Sequence, residues 1–349
     1  SIFWIPCFAD VFNLPLFKGQ KMKKSLIAIA ALTLAGAAAA QSSLNLYGVA
    51  DIYVGKAKGV SAAADTDGLA SSRIGFKGTE DLGGGLKANF NFEQYLNLAN
   101  GATTTGQTFG RQANVGFSGG FGTIKLGRSF TAFDDINGAA NSGFDSALSA
   151  TSPVWTSYTG SSSAQIYYAT PEMAGLSGAI GINLKGNQAT NDITSMHLKY
   201  SSGPIYVGAA YQQDKSALAG KSVKHTLING SYDLGMATVK ASYRSVKNPF
   251  TVVGGNNVGD GFINPKATEY QVGVDYPVNS QLTLSLGHAS SETEASNGVK
   301  TGKSRKSAAY SLAAGYSLSK RTMLYGGLNV SRTNGVKDNL IAAGVNHTF

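Results

Sequence analysis

The residues able to do chemistry here are 4 histidines, 20 acids and 29 bases, and their spacing argues against bond making. His197, His225, His288 and His347 fall on separate stretches of chain. No Gly-x-Ser-x-Gly elbow occurs, and no His, Cys and Asp set has metal-site spacing. No catalytic residue, metal or cofactor is expected. What remains is fixed charge. Arg73, Lys77, Lys87, Lys125, Lys185, Lys199, Lys240 and Arg244 fall on the polar sides of alternating stretches. Asp51, Glu93, Glu269 and Asp275 are the fewer acids placed the same way. Basic groups along a water-filled wall sort ions by sign, so if these sides line a pore the excess of bases predicts a preference for anions. Nucleic acid is not an expected partner, because the bases are spread out with no Lys/Arg cluster.

Such charges need elements that present alternate side chains on opposite faces. Period-two alternation is nearly continuous. Leu44, Leu46, Gly48, Ala50, Ile52 and Val54 share one face of the first stretch, against Asn45, Tyr47, Val49, Asp51 and Tyr53. Ile74 and Phe76 oppose Arg73, Gly75 and Lys77, and Tyr270, Val272, Val274 and Tyr276 oppose Glu269, Gln271 and Asp275. Sixteen such segments can be counted, and at ~10 residues each they use about half of the chain. Short turns at 83–85, 118–120, 171–175, 202–204, 233–235, 277–280 and 317–320 alternate with long connections at 55–70, 99–108, 130–163, 247–265 and 292–306. Tyr200, Tyr276 and Tyr316 near strand ends suit an interfacial girdle.

Composition agrees. Charged residues are 14% and glycines number 44 in 349 residues. One cysteine excludes a disulfide scaffold, and 42% hydrophobic content argues against disorder. Beyond the N-terminal region no ~20-residue apolar run exists to build a helical membrane protein. A soluble sandwich or propeller would fill its apolar faces with large residues. Here those faces mix small residues with Leu and aromatics. The expected fold is all-β, a 16-stranded antiparallel transmembrane β-barrel in one domain, polar side chains inward and apolar ones to lipid.

Residues 22–40 read as a secretory signal peptide, with Lys23 and Lys24, an apolar core from Ser25 to Gly36, and a cut between Ala40 and Gln41. Residues 1–21 before Met22 read as a mis-called extension. The expected mature chain is 41–349, with 25 bases and 19 acids, net +6 and no cysteine.

Ser43–Asp51, Ser71–Ala88, Arg111–Phe117 with Phe121–Arg128, Leu318–Thr322 and Gly344–Phe349 resemble segments of Gram-negative porins, in particular the β-proteobacterial trimeric porins. The resemblance implies a general diffusion channel of the bacterial outer membrane, passing ions and small solutes. It implies that the third loop, 130–163, folds inward, with Asp134, Asp135 and Asp145 opposing Arg73 and Arg128 across a constriction. Lys77, Lys87, Lys125, Lys240 and Arg244 would extend the basic wall. Strand parity supports Arg73 as inward. It argues against Arg128 unless Gly127 hosts a bulge. Another family arginine, near the end of the third loop, is replaced here by Gly160–Ser163. The resemblance also implies a homotrimer, contact with outer-membrane lipid and lipopolysaccharide, and Phe349 as a signal read by the barrel assembly machinery. Small outward residues Gly48, Ala50 and Ala343 suit a flat subunit interface. The alternatives are a porin specific for anionic solutes, for which Tyr47, Tyr53, Tyr167 and Tyr206 form no evident track, and an outer-membrane barrel enzyme or adhesin.

Overall fold

The computed structural model describes residues 43–103, 106–184, 192–215, 222–248, 250–253, 256–259, 265–295 and 305–349. The expected leader, its cut at Ala40/Gln41, and Lys185 lie outside the described residues. Strands β1 (Ser43–Ala57), β2 (Arg73–Gly83), β3 (Leu86–Tyr95), β4 (Gln112–Gly119), β5 (Gly122–Phe130), β6 (Ser161–Ala169), β7 (Leu176–Asn183) and β8 (Asp192–Ser202) form half of one sheet. Strands β9 (Ile205–Lys215), β10 (Ser222–Asp233), β11 (Thr238–Lys247), β12 (Pro265–Pro277), β13 (Leu282–Ala295), β14 (Arg305–Ser317), β15 (Thr322–Thr333) and β16 (Val336–Thr348) complete it. Each pairs antiparallel with its neighbours in sequence, and β1 pairs with β16 from Val49↔Thr348 to Ala57↔Leu340. That last ladder closes the barrel, so no strand edge is left unpaired in lipid. Each of the sixteen segments expected from the alternation overlaps one of these strands.

The two faces differ as the alternation requires. Leu44, Leu46, Val115, Leu126, Leu198, Leu286 and Ile341 are exposed on the outer face. Residues of the inner face, among them Asp51, Gln212, Asn229, Gln271, Ser285 and Asn329, are buried. This inverts the arrangement of a soluble protein and suits a wall with lipid outside. Tyr270 and Tyr276, like Tyr310 and Tyr316, are exposed six residues apart in one strand. The rings therefore sit at two heights about 20 Å apart along the strand.

Short turns join the strands at one end of the barrel and longer segments at the other. One hairpin breaks that alternation. β15 and β16 join through Asn334-Gly335, both at positive φ (48° and 88°), a two-residue turn at the long-loop end.

The 131–160 segment holds a short helix α1 (Asp134–Asn137) and a turn of 3-10 helix at Gly143–Asp145. Wall side chains satisfy its backbone. Ser195 Oγ accepts from the Ala132 N–H at 3.0 Å, and Asn229 Nδ2 donates to the Ile136 carbonyl at 2.6 Å. Ser285 Oγ accepts from the Gly143 N–H at 2.7 Å. Gln212 Nε2 donates to the Thr159 carbonyl at 3.0 Å and Asn329 Nδ2 to that of Ala147 at 3.1 Å. The segment is thus tied to the polar face of β8, β9, β10, β13 and β15. Its apolar residues pack on apolar wall residues, mostly alanines: Phe133 and Ile136 on Ala210 and Leu227, Leu148 on Ala313 and Ala342, Val154 on Ala289 and Ala309. Gly273 and Gly287 lie directly opposite each other in β12 and β13. A Cβ at either would collide with Ser142, so this glycine pair is the seat of the segment's tip.

Candidate functional site

Glu93 of β3 is buried on the inner face and gathers charge around it. Its Oε1 lies 2.6 Å from the Tyr47 hydroxyl and 3.9 Å from Arg73 Nε. Its Oε2 accepts from Gln112 Nε2 at 2.9 Å and from Arg111 Nη1 at 3.0 Å. The Arg111 guanidinium stands 4.5 Å over the Phe130 ring and 5.5 Å from that of Tyr95, which holds its plane in place.

Arg128 joins this group through a defect in the ladder. The β5–β6 register shifts between Gly127 and Ser129, and Gly127 has φ +123°. That is the bulge needed to free Arg128 from the parity of Ile124 and Leu126. Its Nε donates to the Gly110 carbonyl beside Arg111, and Nη1 and Nη2 donate to Ser163 Oγ and Ser161 Oγ, both at 2.9 Å. The Gly160–Ser163 stretch, where the family resemblance had implied a further arginine, supplies acceptors for Arg128 instead. Arg73 and Arg111 thus share one carboxylate, and Arg128 stands beside Gly110 next to them, so that bases outnumber acids here.

The loop acids divide between walls. Asp134 lies near enough to Arg111 to be influenced by its charge, yet among the described residues makes no ion pair. The Tyr158 hydroxyl donates to its Oδ1 at 2.6 Å. Burial pushes the Asp134 carboxyl up to about 6, against the lowering effects of Tyr158 and Arg111. Asp135 turns the other way. The Tyr167 hydroxyl donates to its Oδ2 at 2.6 Å, and His197 Nδ1 lies 3.6 Å from the same oxygen. Burial raises Asp135, while His197, Lys125 and Lys199 oppose the shift. Asp145 accepts from Asn141 Nδ2 at 2.7 Å and is raised by burial. It borders a 530 Å³ polar space with Asp67, Asn137, Asn141, Ser152 and Thr156. Asp134 therefore faces Arg111, Asp135 the Lys125–Lys199 wall and Asp145 the Lys240 side.

Two members of the expected basic wall need correction. Arg244 points inward but is fully buried: its Nε sits 2.5 Å from Glu269 Oε2, its Nη2 donates to the Thr156 carbonyl, and the Trp155 ring covers it at 4.6 Å. Glu269 also accepts from the Thr156 N–H and hydroxyl at 2.6 and 2.7 Å. This pair anchors the segment and offers no free charge. Lys240 is matched by Asp275 at 2.5 Å and donates to the Asn141 carbonyl at 3.2 Å. Lys77 and Lys125 stand at the inner face, over the Tyr47 and Tyr167 rings at 4.6 and 4.8 Å. Lys87 is exposed one residue from a short turn, at the opposite end of β3 from Glu93.

Acids on the wall are likewise engaged. Asp51 accepts from the Gly68, Leu69 and Ala70 N–H groups, the Tyr325 hydroxyl and Asn346 Nδ2, all at 2.6–3.1 Å, and so pins the first long loop. Arg111 and the anchoring glycines were missed as site residues from sequence. Arg111 precedes the first residue of β4, so alternation places no constraint on it. Its only signal was a base beside the inward pair Gln112 and Asn114.

Comparisons with known proteins agree with this arrangement. The Gram-negative porin family matches residues 25–336. The chain is 30% identical to outer membrane porin protein 32 of Delftia acidovorans, over 88% of this chain and 89% of that one. Among solved structures, an anion-selective porin from Comamonas acidovorans superposes with a TM-score of 0.73 at 23% identity, over 88% of this chain and 100% of that one. The trimer form of OmpT from Vibrio cholerae gives 0.69 at 15% identity, over 88% and 99%. With its closed sixteen-stranded wall and these relatives, the chain belongs to the Gram-negative porin family, the channels of the bacterial outer membrane.

Proposed function

We propose that this porin is a general diffusion channel with a preference for anions, set by Arg73, Arg111 and Arg128 where the 131–160 segment narrows the lumen. The observation that carries this reading is the local imbalance: Arg73 and Arg111 on Glu93, with Arg128 beside Gly110 next to Arg111, while Asp51, Glu269 and Asp275 are tied up elsewhere. One net charge ~6 Å from a passing ion in water contributes about 0.7 kcal/mol. With Asp134 ionised opposite the three arginines and Glu93, one net positive charge remains; it separates an anion from a cation by about 1.4 kcal/mol, roughly tenfold at low salt, and screening lowers the ratio as salt rises. The same reading carries a leader cut between Ala40 and Gln41, assembly as a homotrimer in contact with outer-membrane lipid and lipopolysaccharide, and Phe349 as an assembly signal. Phe349 exchanges backbone hydrogen bonds with Gly48 at 3.1 and 3.2 Å, which sets the last residue at the β1–β16 seam.

Planar-bilayer selectivity of the Arg73→Ala/Arg111→Ala/Arg128→Ala variant tests the assignment. The anion-to-cation permeability ratio should fall to near one or below while the channel still conducts. A variant as anion-preferring as the parent would remove these arginines from the account.

A further inference from the structure

The 530 Å³ space beside Asp145 is built from acceptors. Asp67 lines it from the first long loop, and Asn137, Asn141, Asp145 and Trp155 line it from the 131–160 segment. Asn141 Nδ2 donates to Asp145 Oδ1 at 2.7 Å, which fixes the amide and leaves Asn141 Oδ1 as its free end. That oxygen is buried without a partner, and so is Asn137 Oδ1. Both asparagines are more than nine-tenths buried, at 3% and 8% exposed. A Cβ at Gly138 would collide with the Asp145 carboxylate, so that carboxylate lies across the stretch of chain between the two asparagines. Asp67 accepts from the Ser72 N–H and the Thr66 hydroxyl through Oδ1 alone, at 2.6 and 3.0 Å.

The fold supplies no cation to match them. Among the described residues, neither Asp67 nor Asp145 makes an ion pair. Arg244 lines the space, but its guanidinium is spent on Glu269 and the Thr156 carbonyl. Lys240 acts on Asp145 from outside the space and is matched by Asp275. Buried acceptors without donors destabilise a fold, and two carboxylates with two unpartnered amide oxygens suit a ligand that only donates. An anion finds no free donor among these groups. A tightly held metal ion is disfavoured too, since no cluster of three acids or histidines able to hold one occurs among the described residues. The half-buried Trp155 ring adds an aromatic wall, which attracts cations and covers carbon.

We infer that this space binds a small primary organic ammonium ion, its N–H donors shared among Asp145, Asn137 and Asn141, with Asp67 as a second negative charge and Trp155 against its carbon chain. An ammonium group carries three donors and no acceptor, which is the complement of this lining. The inference rests on the channel reading, in which small solutes reach the interior through water. It gives a channel that disfavours simple cations a separate place to hold an amine. A hydrogen bond to a charged group contributes about tenfold or more in binding.

The test is a titration of the folded protein in detergent at pH 8 with butylammonium, followed by tryptophan emission. Trp155 is one of two tryptophans, and the other, Trp4, precedes the expected cut. Emission of the parent should change saturably. Asn137→Ala breaks no side-chain hydrogen bond of the fold and should weaken binding about tenfold, and Asp145→Asn at least as much. Heat-modifiable gel migration reports that each variant has folded. Three results would overturn the proposal: no saturable change in the parent, binding by both folded variants equal to that of the parent, or the same emission change with butanol or potassium chloride at equal concentration. Bilayer conductance separates the two readings. A conducting parent that does not respond to butylammonium sinks this inference alone, whereas a non-conducting parent sinks the channel reading.

Discussion

Asp134 is the charge most open to control by pH. Burial holds its carboxyl near 6, with Asp135 and Asp145 adding to the shift and Tyr158 and Arg111 opposing it. As pH falls through that value the group takes up a proton, and the negative charge facing the arginines disappears. Anion preference should therefore rise between pH 8 and pH 5 with a midpoint near 6. Asp134→Asn should hold the low-pH selectivity at every pH, and bilayer selectivity measured across that range checks both. The Arg244–Glu269 pair makes a different prediction. Both side chains are essentially inaccessible to solvent, so removing one partner strands a buried charge. Glu269→Gln should lower stability by about 3–5 kcal/mol and loosen the Thr156 end of the 131–160 segment. Denaturant unfolding and single-channel noise report the two effects.

At the scale of elements, the strands were legible and the segment inside them was less so. Alternation alone separates Leu46 from Tyr47 and Tyr270 from Glu269, because a strand has only two faces and a one-residue slip would put every polar group into lipid. Alternation does not tell a polar residue that lines water from one that holds a loop. Gln271, Ser285 and Asn329 look alike in sequence to lumen residues, yet each bonds to backbone of the 131–160 segment. Arg244 was unreadable for the same reason: its partner Glu269 sits on the next strand, directly opposite in register. Arg128 was legible only through Gly127, whose missing Cβ permits the φ that the bulge demands. The glycine seat yields a direct prediction. Gly287→Val should push Ser142 off the wall, leave the barrel folded and change single-channel conductance, whereas an unchanged conductance would show that the tip does not bear on the path of ions.

For the whole molecule, the low charge content and abundant glycine describe a wall with lipid outside and polar side chains inside. The formal +9 of the chain says little about selectivity by itself. Most inner charges cancel locally, as Lys240 with Asp275 and Arg244 with Glu269 do. Those outside, such as Lys224, Lys247 and Lys266, do not line the path. The excess that remains is the one around Glu93, together with Lys77 and Lys125 on the inner face. Because it acts through water, the anion preference should weaken from 0.1 M to 1 M salt as the screening length shrinks from about 10 to 3 Å. The most direct measurement is the reversal potential of the unmodified channel in a planar bilayer under a KCl gradient with 0.1 M on the dilute side. The account predicts the sign of chloride current and an anion-to-cation ratio of several-fold. A potential of zero, or one with the sign of potassium current, would contradict it.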